Sequence, residues 1–277
     1  MIGAIIGDIQ GSIYEFDNIK TKEFELFDMR MEPTDDSILT IATANWLLHG
    51  GSPGDHYFRY ASAYPYPMGG YGPSFKNWVA KSRDVIAEPY NSCGNGSAMR
   101  VSPVGWAFDT EENILKAAKC SAECTHNHPE GIKGAQATAL CIFLARKGAT
   151  PEQIKERIEH DFGYDLSLSV NEISQRYSWG GLDDAGDGAT CQGSVPQAIA
   201  CALQAIDYED AVRNAVSIGG DSDTIACITG GIAEALFGVP EWMKAQALSL
   251  LDNHQREVVT TFINRYCQQN ELKTFNS

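Results

Sequence analysis

The opening stretch "MIGAIIGDIQGS" carries Gly3, Gly7 and Gly11 four residues apart. At 3.6 residues per turn, that spacing lines the glycines along one face of a helix. Ile2, Ile5, Ile6, Ile9, Ile13 and Phe16 recur beside them at three- and four-residue intervals, the periodicity of a core-facing helix. A face without side chains lets a neighbouring helix come unusually near, because interaxial distance is set by the side chains at the contact. The pattern predicts a buried helix over residues 2–16 that another helix crosses closely.

Helical patterning continues down the chain. Residues 35–48 place Ile38, Leu39, Ile41, Ala42, Trp46 and Leu47 at helical spacing and stop at Gly50-Gly51. Further helices are predicted over 111–124, 130–147, 151–162, 194–206, 208–218, 222–237 and 240–269. Pro151, Pro196 and Pro240 stand at helix starts, where a missing N–H costs little, and Gly148 and Gly238 follow the ends of two others. Segments 51–74, 88–104 and 178–193, rich in Gly, Pro, Ser, Asn and Tyr, read as loops. There is no convincing period-2 strand, and no linker or low-complexity tract divides the chain. The expectation is one all-α domain spanning residues 1–277.

Composition narrows the partners. A formal net charge of −15 disfavours binding to a nucleic-acid duplex, which needs clustered Lys and Arg against the phosphates. An anionic ligand would have to be met by metal ions or backbone N–H groups. No run approaches the roughly 20 apolar residues that span a bilayer, and the apolar N-terminus lacks a basic region and carries Asp8, unlike a signal peptide. Of the eight cysteines, Cys141, Cys201 and Cys227 sit in apolar helical stretches as small hydrophobes, which suits a reduced, cytoplasmic setting. Cys120, Cys124, His126 and His128 offer zinc-binding chemistry, but their spacing lacks the separated pairs of a structural zinc site. A helix end followed by a loop is the preferred reading.

Two short motifs resemble each other. In "PTDDS", Thr34 precedes Asp35 and Asp36; in "GGDSDT", Asp221 and Asp223 precede Thr224. Each lies at the start of an apolar helix, where Thr34 or Asp221 suits an N-cap and the acids complement the helix dipole. If the two starts converge, four carboxylates share a small volume, which like charges tolerate only with compensation. Oxygen-preferring divalent cations, Mg²⁺ or Mn²⁺, would supply it. Asp8 and Glu15, seven residues apart, fall within about 20° of each other on a helix face, as a solvated stripe or as further members of the cluster. The glycine-rich loops "SCGNGSAMRVSPVG" and "YPMGGYGPSF" could expose backbone N–H groups to a polar ligand.

Taken in order along the chain, "GDIQGSIYEF", "PTDDS", "GYG", "GNGSAMRVSPVG", "THNHP" and "GGDSDTIACITGGIAEALFG" resemble the ADP-ribosylglycohydrolase family over most of its length. The resemblance implies a compact, single-domain, all-α orthogonal helical bundle. It also implies hydrolysis of the glycosidic bond at the anomeric ribose carbon of ADP-ribosylated protein side chains or small ADP-ribose derivatives, with two Mg²⁺ ions (Mn²⁺ as an alternative). It makes Thr34, Asp35, Asp36, Asp221, Asp223 and Thr224 metal ligands and Glu15 a catalytic or gating carboxylate. Gly72, Ser74 and Phe75 would face the diphosphate, Ser92, Gly94 and Asn95 the ribose and adenosine side, and His126 the substrate, with Tyr90 a candidate for stacking adenine. The expected protein is a cytoplasmic monomer, and the motifs do not name the leaving group. Two other readings share the parts: a two-metal phosphodiesterase, and a non-catalytic ADP-ribose-binding or crystallin-like scaffold. Presence of all six ligand positions and Glu15 favours the hydrolase.

Overall fold

The close crossing predicted for the first helix is made with a helix more than 200 residues away. In the computed structural model, which describes residues 1–182 and 187–267, α1 (Ile2–Gly11) lies directly on α13 (Ser222–Phe237). A Cβ added at Gly3 would fall 2.4 Å from the Gly230 carbonyl oxygen, one at Gly7 1.9 Å from that of Ala226, and one at Gly11 2.5 Å from Asp223 Cα. The contact is reciprocal, since a Cβ at Gly230 would lie 2.3 Å from the Gly3 oxygen. Every residue of α1 is buried.

Between and after these two helices run α2 (Asp35–His49), α3 (Pro53–Ala63), α4 (Pro73–Lys81), α5 (Gly96–Met99), α6 (Ser102–Ala107), α7 (Glu111–Glu123), α8 (Pro129–Arg146), α9 (Pro151–Phe162), α10 (Val170–Arg176), α11 (Cys191–Leu203), α12 (Tyr208–Ser217), α14 (Glu241–Leu250) and α15 (Asn253–Phe262). The fold is an all-α bundle around one apolar core. Two-residue strands at Tyr177–Ser178 and Gly181–Leu182 pair antiparallel. Starts follow local chemistry: Thr34, Thr110, Thr190 and Asp207 accept hydrogen bonds from the first turn of their helices, and Thr150 and Asp252 form capping boxes. Among the described residues no helix is long and apolar enough to cross a membrane.

Several boundaries differ from the sequence expectation. The helix predicted over 2–16 ends at Gly11, where the Ser12 hydroxyl donates to the Ile9 carbonyl and the backbone tightens into a 3₁₀ turn at Ser12–Tyr14. Phe16, expected in the apolar stripe, is 77% exposed. Pro196 lies inside α11 rather than at its start, because the Thr190 cap begins that helix earlier. The helix predicted over 240–269 breaks at Leu251, where the Asp252 capping box starts α15. Its predicted end at 268–269 lies outside the described residues, as do residues 183–186 of the predicted 178–193 loop. The segment read as a loop over 51–74 contains α3, which buries Tyr57, Tyr60 and Ala61. Pro53 following Ser52 was its start signal, obscured by the surrounding Gly and Tyr.

Candidate active site

Convergence of the two Asp-bearing helix starts is arranged by α1. Asp8 accepts four hydrogen bonds at the head of α2: from Thr34 N at 3.0 Å, Thr34 Oγ1 at 2.6 Å, Ser37 N at 3.1 Å and the Ser37 hydroxyl. Its two oxygens are thereby committed to holding α2. One turn on, Gly11 admits Asp223 of α13. Gly219 and Gly220, both at positive φ, turn the chain into Asp221, and the Asn18 side chain ties this turn to the end of the first element through the Gly220 N–H and carbonyl. A left-handed backbone of this kind is open to glycine at no steric cost.

The result is one acidic cluster. Asp8, Asp36 and Asp223 each bring a carboxylate oxygen within 4.8 Å of the others, and so do Glu15, Asp221 and Asp223. Asp223 belongs to both groups. Asp36 Oδ1 and Asp223 Oδ1 are buried without a hydrogen-bond partner. Thr224 Oγ1 donates to Asp36 Oδ2 at 3.3 Å, and Asn95 Nδ2 to Asp221 Oδ2 at 2.7 Å.

Burial drives these carboxyls upward in pKa. Asp8 and Asp221 are each pushed up to about 6, and in both cases hydrogen bonds offset part of the effect. Asp35, Asp36 and Asp223 are held well above the carboxylate range, by burial first and then by neighbouring carboxylates. Glu15 is pushed up to about 8 by burial, then by Asp223 and Asp8. Two unpartnered buried oxygens among crowded carboxyls are the donor set that a hard divalent cation satisfies, so the residues fit a metal centre.

The same shifts set a pH dependence for the ion-free protein. These carboxyls bind protons more tightly folded than unfolded, so their stabilisation is full below about pH 4, the unfolded carboxylate range. It is lost as pH rises through about 6 for Asp8 and Asp221 and about 8 for Glu15. After chelation, the melting temperature should fall from about pH 5 to about pH 8.5. Thermal melts across that range check it, and a rise over the window would contradict the arrangement.

The cluster lines a cleft of about 590 Å³. Glu15, Asp35, Asp36, Asp221, Asp223, Thr224, Gly72, Ser74, Phe75, Ser92, Gly94, Asn95 and His126 all line it, as does Tyr90. Thr34 does not line it; it is buried, its hydroxyl donating to Asp8 and accepting the Asp36 N–H. Gly72 caps α4 with open space before it, Ser74 is exposed, and Phe75 turns inward against Tyr71 and Trp78. Ser92 Oγ accepts the Gly94 N–H, and Asn95 N donates to the Ala189 carbonyl, joining two glycine-rich loops. Of the cysteine–histidine group, His128 caps α8 and His126 bonds Thr125.

Residues that the sequence reading passed over also shape the cleft. Trp179 stacks on Phe16, with ring centroids 6.0 Å apart and planes 6° from parallel, and its indole N–H donates to the Glu15 carbonyl. Gly69, in the glycine-rich loop already singled out in the sequence, leaves room for the Glu15 carboxylate, since a Cβ there would fall 2.5 Å from Oε2. Lys76 and Arg100 also reach the wall.

A sequence model described as ADP-ribosylglycohydrolase matches residues 1–273. The chain is 28% identical to Homo sapiens ADP-ribosylhydrolase ARH3, over 97% of this chain and 93% of that protein. It is 24% identical to the ADP-ribosylarginine hydrolase Tri1 of Pseudomonas putida (strain GB-1), over 66% of this chain and 49% of that one. Among solved structures, a chain of an ADP-ribosylglycohydrolase-related protein complex superposes with a TM-score of 0.64 at 23% identity, covering 90% of this chain and 95% of that chain. At that identity the likeness shows the fold.

Proposed function

The chain belongs to the ADP-ribosylglycohydrolase family, and on that premise we propose that it hydrolyses the glycosidic bond at the anomeric ribose carbon of ADP-ribosylated protein side chains or small ADP-ribose derivatives, releasing ADP-ribose. The observation that carries this reading is the pair of unpartnered buried oxygens, Asp36 Oδ1 and Asp223 Oδ1, on residues lining a cleft that two glycine-rich loops also line. Asp35, Asp36, Asp221, Asp223 and Thr224, with Thr34, would hold two Mg²⁺ or Mn²⁺ ions. Bound there, such ions supply positive charge that orients ribose hydroxyls and makes a bound water more acidic.

The chain's own groups do the rest. Asp8 keeps the α2 carboxylates in place through Thr34 and Ser37. Asn95 holds Asp221. Departure of the leaving group develops oxocarbenium character at the anomeric carbon, and the water that adds there must give up a proton. Glu15, half-buried, seated against Gly69 and close to Asp221 and Asp223, would take or hold that proton.

Glu15→Gln keeps the shape and removes the proton-accepting group. For a general base, kcat should fall by about 10²–10⁴ with the ADP-ribose Kd nearly unchanged, while a gating carboxylate would move binding and turnover together. Kinetics with serine-, arginine- and small-molecule-linked ADP-ribose, with and without Mg²⁺, test the reading. Release of ADP-ribose from none of these substrates would sink it.

A further inference from the structure

Arg100 ends α5 fully buried, with one side reaching the cleft wall. Its Nη2 donates to the Ser121 carbonyl at 2.9 Å and to Thr125 Oγ1 at 2.8 Å, and its Cζ lies 4.1 Å from the centroid of the Tyr57 ring. Nε and Nη1 have no partner. A buried guanidinium satisfied on one nitrogen is costly, so what it does for its neighbours matters.

A guanidinium can only donate. Thr125 Oγ1 is therefore the acceptor toward Arg100, and its single hydrogen is available to His126 Nδ1, 2.7 Å away. An Nδ1 that accepts leaves the ring proton on Nε2. Nε2 faces the glycine loop: a Cβ at Gly96 would fall 3.0 Å from it and one at Gly94 3.5 Å. These missing side chains leave space in front of Nε2, where it has no hydrogen-bond partner among the described residues. Burial first, and then the Arg100 charge, hold His126 well below its ordinary pKa, so the ring stays neutral.

We propose that Arg100 and Thr125 are positioning residues that lock His126 as the Nε2–H tautomer, so that the ring offers one N–H donor to a hydroxyl or ether oxygen of the ligand beside the Ser92–Asn95 loop. The identity of that ligand rests on the ADP-ribose reading above, whereas the tautomer is a property of the free protein.

The test is ¹⁵N NMR of the full chain, histidine-labelled and ligand-free, with His126 assigned by loss of its signals in His126→Gln. Nδ1 of His126 is expected among unprotonated ring nitrogens and Nε2 among protonated ones. Thr125→Val removes the hydroxyl at nearly constant volume. It should mix the tautomers and weaken the ADP-ribose Kd by about three- to tenfold, the net worth of one hydrogen bond, with a smaller change in kcat. Thr125→Ser should restore both. A protonated Nδ1 in the wild-type protein, or a Thr125→Val protein with unchanged tautomer and Kd, overturns the proposal. The expected tautomer pattern with no ADP-ribose binding by either protein would uphold the lock and refute the ADP-ribose reading.

Discussion

Asp223→Asn should abolish turnover while raising the melting temperature of the ion-free protein. Asp223 is the residue shared by both carboxyl groupings, it is buried, and its Oδ1 has no partner. Burial, then Asp221 and Asp8, hold its carboxyl well above the ordinary range, so its charge is unfavourable in the absence of a cation. An amide of the same size removes that repulsion and can still donate toward Asp221. The same change removes a hard oxygen donor from the metal set. The loss in kcat should exceed about 10³-fold, equivalent to about 4 kcal/mol of barrier. Wild-type protein at an Mg²⁺ concentration of about 100 times Kd should gain about 2.7 kcal/mol of stability, and the variant should gain almost none. Paired thermal melts with chelator and with Mg²⁺, alongside kinetics, check all three outcomes. An undiminished Mg²⁺ response would place the ions elsewhere.

Gly7→Leu should leave no folded protein, and Gly7→Ala should be measurably destabilised although alanine is the better helix former. A methyl at position 7 would sit 1.9 Å from the Ala226 carbonyl oxygen, a distance that only separation of α1 from α13 can relieve. Overpacking of this kind costs about 1–3 kcal/mol or more, against about 1 kcal/mol gained in helix propensity. Each net kcal/mol should lower the melting temperature by about 2–4 °C for a chain approaching this size. Gly11→Ala makes a sharper comparison, because its methyl would meet Asp223 Cα and the Ser222 carbonyl. That variant should lose its Mg²⁺ response out of proportion to its loss of stability. Denaturation midpoints and Mg²⁺-induced shifts of the two alanine variants give the contrast. Gly7→Ala at wild-type stability would mean that the two helices do not cross so closely.

These two experiments separate what was legible along the chain from what was not. The glycine face of α1, the cap at Thr34 and the paired acids at 35–36 and 221–223 were legible because each depends on residues within one or two turns, whereas Asp221, also expected to cap with its side chain, makes no such bond and is held by Asn95 instead. Helical periodicity found the longer helices with aliphatic buried faces but not the short α5, α6 and α10, the first two of which begin inside the segment read as a loop over 88–104. It failed over α3, whose buried face is Tyr57, Tyr60 and Ala61 in a glycine- and tyrosine-rich stretch, and at Ser12, where a side-chain hydrogen bond tightened the helix.

The sequence by itself determined the parts: an apolar helix that another must cross closely, and two acidic helix starts that hold charge. Only the tertiary structure decided that the crossing partner is α13, and that Asp8 seizes the head of α2 while Gly11 admits Asp223. It alone brought Trp179 to the Glu15 carbonyl and Arg100 to Thr125 beside His126. The physical reason is range. Caps and periodicity are set by a residue's near neighbours in sequence, whereas a carboxyl's proton affinity and a histidine's tautomer are set by burial and by partners often many tens of residues away.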